Sequence, residues 1–185
     1  LAFAAMRSGD KVGLLLCAEA PEKFIPPRKG GQHAMRVVRE VLSAPAEARA
    51  SRLEQGVELL GRVLRRRAVV FVLSDFHFPL EGLERPLARL ARRHDVIGAH
   101  LLDPSDLELP RAGLLELADS ETGRTLRVDA SSPRVRRAWR EQGERRVEAV
   151  ARTLRRIGAD RMLVRLEEPV ATPLLRLFSE RRRPR

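Results

Sequence analysis

The sequence predicts an α/β fold, a mainly parallel sheet with helices on both faces. Three observations carry this. Short apolar, partly β-branched runs alternate with segments whose apolar residues recur at helical spacing. The run Ala68 to Leu73 is continuously apolar and ends abruptly in Ser74-Asp75-Phe76, as a central parallel strand does. The 185 residues are 43% hydrophobic and 33% charged, enough apolar material for one buried sheet and too much for a disordered chain.

Leu1 to Arg7 reads as the last turns of a helix, closed by the turn residues Ser8-Gly9-Asp10. Lys11 to Ala18 follows as an interior strand. Lys23 to Pro27 suits a short edge strand, because its two prolines donate nothing to a ladder. Gly30-Gly31 resets the chain for a helix over Gln32 to Leu42, with Met35, Val38 and Leu42 as its apolar stripe. Ser51 stands as the N-cap of the next helix, which carries Leu53, Val57, Leu60 and Leu64 and closes on Arg65-Arg66-Arg67. After the central strand, Leu80, Leu83, Leu87 and Leu90 mark a helix in which Pro86 is tolerable only in the first turn. Val96 to Leu102 is the next strand. Leu114 to Leu117 and Thr125 to Val128 flank the turn-rich Asp119 to Gly123 and form a β-hairpin appended to the sheet. Ser132-Pro133 opens a long helix burying Val135, Trp139, Val147, Val150, Leu154 and Ile157 and ending at Gly158. Met162 to Leu166 is the last strand, and Thr172 to Glu180 the last helix before a basic tail, residues 181–185.

The net charge of +11 invites a nucleic-acid reading. Arginine supplies nearly all of it, lysine only Lys11, Lys23 and Lys29. Between Arg134 and Arg185 stand 16 arginines against 7 acidic residues, so the excess is regional. Single-strand binders interleave such charge with exposed aromatics; this chain has no tyrosine and one tryptophan. A solvated arginine face on a helix is the favoured account. Cys17 is the only cysteine, which excludes an internal disulfide and suits core filling in a strand. No apolar run approaches the roughly 18 to 20 residues that span a bilayer. A cytoplasmic location is therefore expected, with any membrane anchor lying upstream of Leu1.

In open α/β sheets ligands bind beyond the carboxyl ends of the strands, which singles out Ser74 and Asp75. An ionised Asp75 there suits a hard cation, with the hydroxyl of Ser51 as co-ligand. Spacing alone fits equally an aspartate that fixes the turn or caps the following helix. His77 has no second histidine, cysteine or carboxylate cluster beside it at ligand spacing, so a hydrolase built on Asp75 and His77 is disfavoured. His33, His94 and His100 form no pattern. Asp103-Pro104-Ser105-Asp106 is acidic and suits a cation, though Asp-Pro after a strand more often just turns the chain. No nucleophile elbow, dinucleotide fingerprint or phosphate-binding loop is present.

Several strings in order resemble the bacterial von Willebrand factor A-like family catalogued as domain of unknown function fifty-eight. They are Ser8-Gly9-Asp10-Lys11-Val12-Gly13-Leu14-Leu15, Pro26-Pro27-Arg28 with Gly30, and Val69 to Phe76. Arg93-His94-Asp95-Val96, Leu102-Asp103-Pro104 with Glu108-Leu109-Pro110, and Asp119 to Gly123 complete the likeness. The resemblance implies one von Willebrand A-like domain over residues 1–180, with sheet order 3-2-1-4-5-6 and its first strand lying before Leu1. It implies a metal-ion-dependent adhesion site for Mg²⁺, incomplete in this chain: Asp75 matches its aspartate, Ser51 stands where a threonine is expected, and the Asp-x-Ser-x-Ser loop is absent. With the first strand missing, poor stability or direct pairing of the strands at Lys11 and Ala68 is expected.

The function so implied is a non-enzymatic adaptor that partners a MoxR-type AAA+ ATPase or another protein. The alternative is a nucleic-acid-binding domain that uses the Arg-rich C-terminal helix.

Overall fold

The computed structural model describes residues 1–44, 52–118 and 125–181. By internal contacts these residues fall into two compact units, one within 1–59 and the other within 60–118 and 125–181.

In the first unit, helix α1 (Ala2–Arg7) leads into strand β1 (Val12–Cys17), which pairs antiparallel with β2 (Pro21–Arg28). The pairing sets Leu14 opposite Ile25 and Leu15 opposite Phe24, and its register shifts between Val12 and Leu14. Gly13 sits at that irregularity, where a Cβ would come within 2.8 Å of the Ile25 carbonyl oxygen. Helix α2 (Gly31–Ser43) starts after Gly30, whose φ of 104° only glycine adopts freely. Its core stripe differs from the expected one. Ala34 and Val37 are buried, whereas Met35 and Val41 are exposed and Leu42 is 81% exposed. The His33 ring bonds the Val12 carbonyl at 2.9 Å and so turns the adjacent Ala34 inward. Helix α3 (Leu53–Val63), of which the residues up to Leu59 belong to this unit, places Gly56 against the Cys17 thiol so closely that any side chain would collide. Burial raises the pKa of that thiol, and the Glu22 carboxylate adds to the rise. Ser51, the expected N-cap, lies outside the described residues, as does the Asp119 to Gly123 turn.

The second unit is built on β3 (Val69–Ser74), β4 (Asp95–Leu102) and, after the hairpin, a last strand at Asp160–Arg165, all parallel. The central strand of these three is β4. The hairpin is formed by β5 (Leu114–Ala118) and β6 (Thr125–Asp129), so the last strand is β7. The hairpin makes a two-stranded sheet of its own, with no ladder to β3, β4 or β7. Helix α4 (Glu81–Ala91) buries Leu83, Leu87 and Leu90. Pro86 falls in its second turn and not the first, where its ring is buried and the Gly82 carbonyl loses a donor. Helix α5 (Pro133–Arg156) stops at Gly158, whose φ of 77° ends it as expected. Ser132 precedes it without a side-chain cap bond.

Alternation along parallel strands sends alternate residues to opposite faces. Phe71, Ile97, Ala99, Leu101, Met162 and Val164 pack with Leu174 and Leu177 of helix α6 (Ala171–Arg181). Gly98 faces the other way, and a Cβ on it would sit 2.5 Å from a methyl of Leu154 on α5. Helices therefore cover both faces, a mixed α/β arrangement consistent with a von Willebrand A-like fold. Within their own units, β1 bonds β2 and β3 bonds β4.

Candidate functional site at the carboxyl ends of β3 and β4

The loop leaving β3 is held by its own side chains. Ser74 Oγ accepts the Phe76 N–H at 3.0 Å, and Asp75 Oδ1 accepts the His77 N–H at 3.2 Å. Both are local turns in which a side chain replaces a backbone acceptor. Between them Phe76 takes φ 54°, the left-handed region that a bulky residue rarely enters. Its ring is 2% exposed and stands edge-on to His100, centroids 5.5 Å apart. The pinned Phe76 leaves Asp75 and His77 exposed on either side. Strain of this kind persists only where surrounding packing over-determines it, and it gathers at functional sites.

The loop leaving β4 is equally fixed. Asp103 accepts the Ser105 N–H at 2.9 Å, and Asp106 Oδ2 accepts the Asp103 N–H at 2.9 Å, a reciprocal capping box around the turn Pro104–Asp106. The Ser105 hydroxyl and N–H together hold the Asp103 carboxyl below its ordinary pKa.

Helix α5 lies against this turn along Trp139, Gly143 and Arg146, which share a face because they are four and three residues apart. The Trp139 indole N–H donates to the Ser105 carbonyl at 2.9 Å. Gly143 is buried with its Cα against Asp106. A Cβ there would fall well inside contact distance of the Asp106 carbonyl oxygen and 2.9 Å from Leu107 Cδ2. Arg140 pairs with Glu108 at 2.6 Å. One turn on, Arg146 Nη1 reaches His77 Nε2 at 3.3 Å, and the same ring nitrogen lies 3.2 Å from Asp106 Oδ1. His77 thus joins the two loops and the helix.

Beneath the loops, His100 is 1% exposed and its Nδ1 has no protein partner among the described residues. Burial drives its pKa down to about 4, with the Arg161 and His77 charges adding to the fall. The Asp75 carboxylate and a hydrogen bond with the Asp75 backbone oppose it.

Of the expected site residues, Asp75 takes the position assigned to it and also fixes its own turn. Ser51 is not among the described residues, and these contain no group of three or more His, Cys, Asp or Glu side chains able to hold a metal ion. Asp75 alone does not make a cation site. Asp106 belongs to the acidic string that the sequence marks, but Gly143 and Arg146 are not singled out by the sequence. A glycine amid strong helix formers was the one local signal for Gly143, while Arg146 is hidden among similar arginines. Among the described residues no helix is long and apolar enough to cross a membrane.

An uncharacterized protein of Mycobacterium bovis is 32% identical over 186 residues, covering 99% of this chain and 58% of its own length. One from Mycobacterium tuberculosis gives the same figures. A third, from Mycobacterium avium, is 32% identical over 163 residues, 86% of this chain and 94% of its own length. The chain thus spans 58% of the length of the first two relatives. No solved structure gives a significant match. The model of a family described as protein of unknown function DUF58 matches residues 1–149, and with these relatives it establishes that the chain belongs to that family.

Proposed function

We propose that this chain is a non-catalytic protein-interaction module that presents the β3 and β4 loops to a partner, and that the partner is a MoxR-type AAA+ ATPase. The observation that carries the reading is the pinned loop at Phe76, buried with φ 54° while Asp75 and His77 are exposed beside it. A loop already fixed in shape loses little conformational freedom on docking, which favours recognition. The ATPase enters from the family resemblance and the soluble α/β frame. A Mg²⁺-dependent form of the reading needs ligands beyond the described residues, with Asp75 as one donor and Ser51 as another.

The arginine face of α5 lends less support to nucleic-acid binding, because Arg140, Arg145, Arg152 and Arg156 already face Glu108, Glu141, Glu148 and Glu84. The test is co-purification of the chain with a MoxR-type ATPase from the same genome, in Mg²⁺ and in chelator. Loss of capture with Asp75→Ala, at unchanged folded circular dichroism, supports the reading. Capture that ignores Asp75→Ala removes this end of the sheet from the interface, and capture that ignores chelator removes the metal.

A further inference from the structure

We infer that Arg146, steered by His77 and Asp106, is a receptor for a side-chain carboxylate of an acidic protein segment; this rests on the interaction reading above and names the chemistry of the partner. The argument is one of donors and acceptors. A ring nitrogen either donates or accepts, yet His77 Nε2 faces both Asp106 Oδ1 at 3.2 Å and Arg146 Nη1 at 3.3 Å. With the proton on Nε2, Asp106 takes it and Arg146 meets an N–H; with the proton on Nδ1, Nε2 accepts one Arg146 N–H, and in both tautomers at least four of the five guanidinium N–H groups keep no protein acceptor among the described residues.

The carboxylates nearby are already engaged. Asp75 Oδ1 holds the His77 N–H, and Asp106 Oδ2 holds the Asp103 N–H. The Arg146 guanidinium has only the shared ring nitrogen recorded as its neighbour among the described residues. It is held in place by Gly143 one turn earlier, where the helix backbone touches Asp106. Its planar fork fits a carboxylate by two parallel hydrogen bonds, a strong and directional contact. The chain's net charge of +11 draws an acidic segment toward it.

The probe is an acetylated, amidated hexaglutamate peptide titrated into the whole ¹⁵N-labelled chain at pH 7 and low salt. Amide shifts centred on Phe76 to Phe78 and Ser105 to Leu107 are expected. Arg146→Gln weakens binding by about ten-fold or more, Arg146→Lys restores part, and Arg145→Gln, which removes the same charge from an arginine beside Glu141, leaves it near wild type. Equal loss in Arg145→Gln and Arg146→Gln, or shifts confined to Arg28 to Arg36, overturns the inference. So does a single-stranded oligodeoxynucleotide that binds the same amides more tightly than the peptide. If Asp75→Ala abolishes ATPase capture while Arg146→Gln leaves capture and peptide binding intact, the interaction reading stands and this inference falls. If peptide binding needs Arg146 but ATPase capture ignores both substitutions, the carboxylate receptor stands and the ATPase reading falls.

Discussion

Alanine is normally better than glycine inside a helix by roughly 0.5 to 1 kcal/mol. Gly143→Ala reverses that sign. Gly143 is buried in α5, and its Cβ would overlap the Asp106 carbonyl oxygen, a backbone atom held by the Asp103 capping box and so unable to step aside cheaply. Forcing a methyl into such a contact costs about 1 to 3 kcal/mol. Set against the propensity gain, the net loss centres on about 1 kcal/mol and reaches about 2.5 kcal/mol at most. For a chain of this size that lowers Tm by about 1 to 8 °C. Gly61→Ala in α3 is the control, since its Cβ would meet only Leu90 Cδ1 at 3.9 Å, an ordinary contact; it gains about 0.5 to 1 kcal/mol. The assay is urea unfolding followed by circular dichroism and by the fluorescence of Trp139, the only tryptophan, whose N–H bonds Ser105. In Gly143→Ala the folded emission moves to the red as the turn is pushed off the helix. A Gly143→Ala protein as stable as wild type, with unmoved emission, refutes the close approach of α5 to Asp106 and the placement of Arg146 that depends on it.

Stability is expected to fall between neutral pH and about pH 4, because His100 stays neutral when folded, with a pKa near 4, while the unfolded chain takes up its proton near 6.5. At pH 5 the loss is about 2 kcal/mol, with His94, also depressed mainly by burial, acting in the same direction. Equal urea midpoints at pH 7 and pH 5 refute it. Asp103 and Asp129, held down by Ser105 and Ser131, act only at lower pH, below the ordinary carboxylate range. Leu154→Ala is expected to cost about 2 to 5 kcal/mol by opening a void over the sheet. Gly98→Ala is then tolerated better in the Leu154→Ala background than in wild type, because the blocking methyls are gone; additive losses in a double-mutant cycle contradict the contact. Trp139→Phe keeps an aromatic ring but loses the pyrrole part of the indole and its bond to Ser105, and is expected to cost at least about 0.5 to 1.5 kcal/mol in chemical unfolding; no change in midpoint shows that the bond carries nothing.

The elements with the clearest periodic signal were legible in the sequence. The run Ala68 to Leu73 became β3, though at the edge of the three parallel strands with Val69 and Leu73 exposed and not as the central strand expected, while the helix after Ser132-Pro133 ended at Gly158 and the two hairpin strands formed as read, because apolar patterning and glycine at positive φ act over a few residues. The place of Asp75 just beyond the carboxyl end of β3 was legible too, since a parallel strand exposes that end wherever it lies in the sheet.

Other features depended on neighbours distant in sequence. Helix α2 buries Ala34 and Val37 and exposes Met35 and Leu42, although both stripes have helical spacing. Packing against α1 and β1, with the His33 contact to Val12, selects between them. Pro86 is held in the second turn of α4 by a buried face that outweighs its missing N–H. Asp106 and Arg146 meet His77, 29 and 69 residues away along the chain, because α5 crosses the β4 turn at Gly143. Local sequence therefore set which segments are strands and helices and where the sheet opens. Which arginine of α5 comes to lie against His77 was decided by tertiary packing, because that contact depends on distance in space and every arginine on α5 is chemically the same.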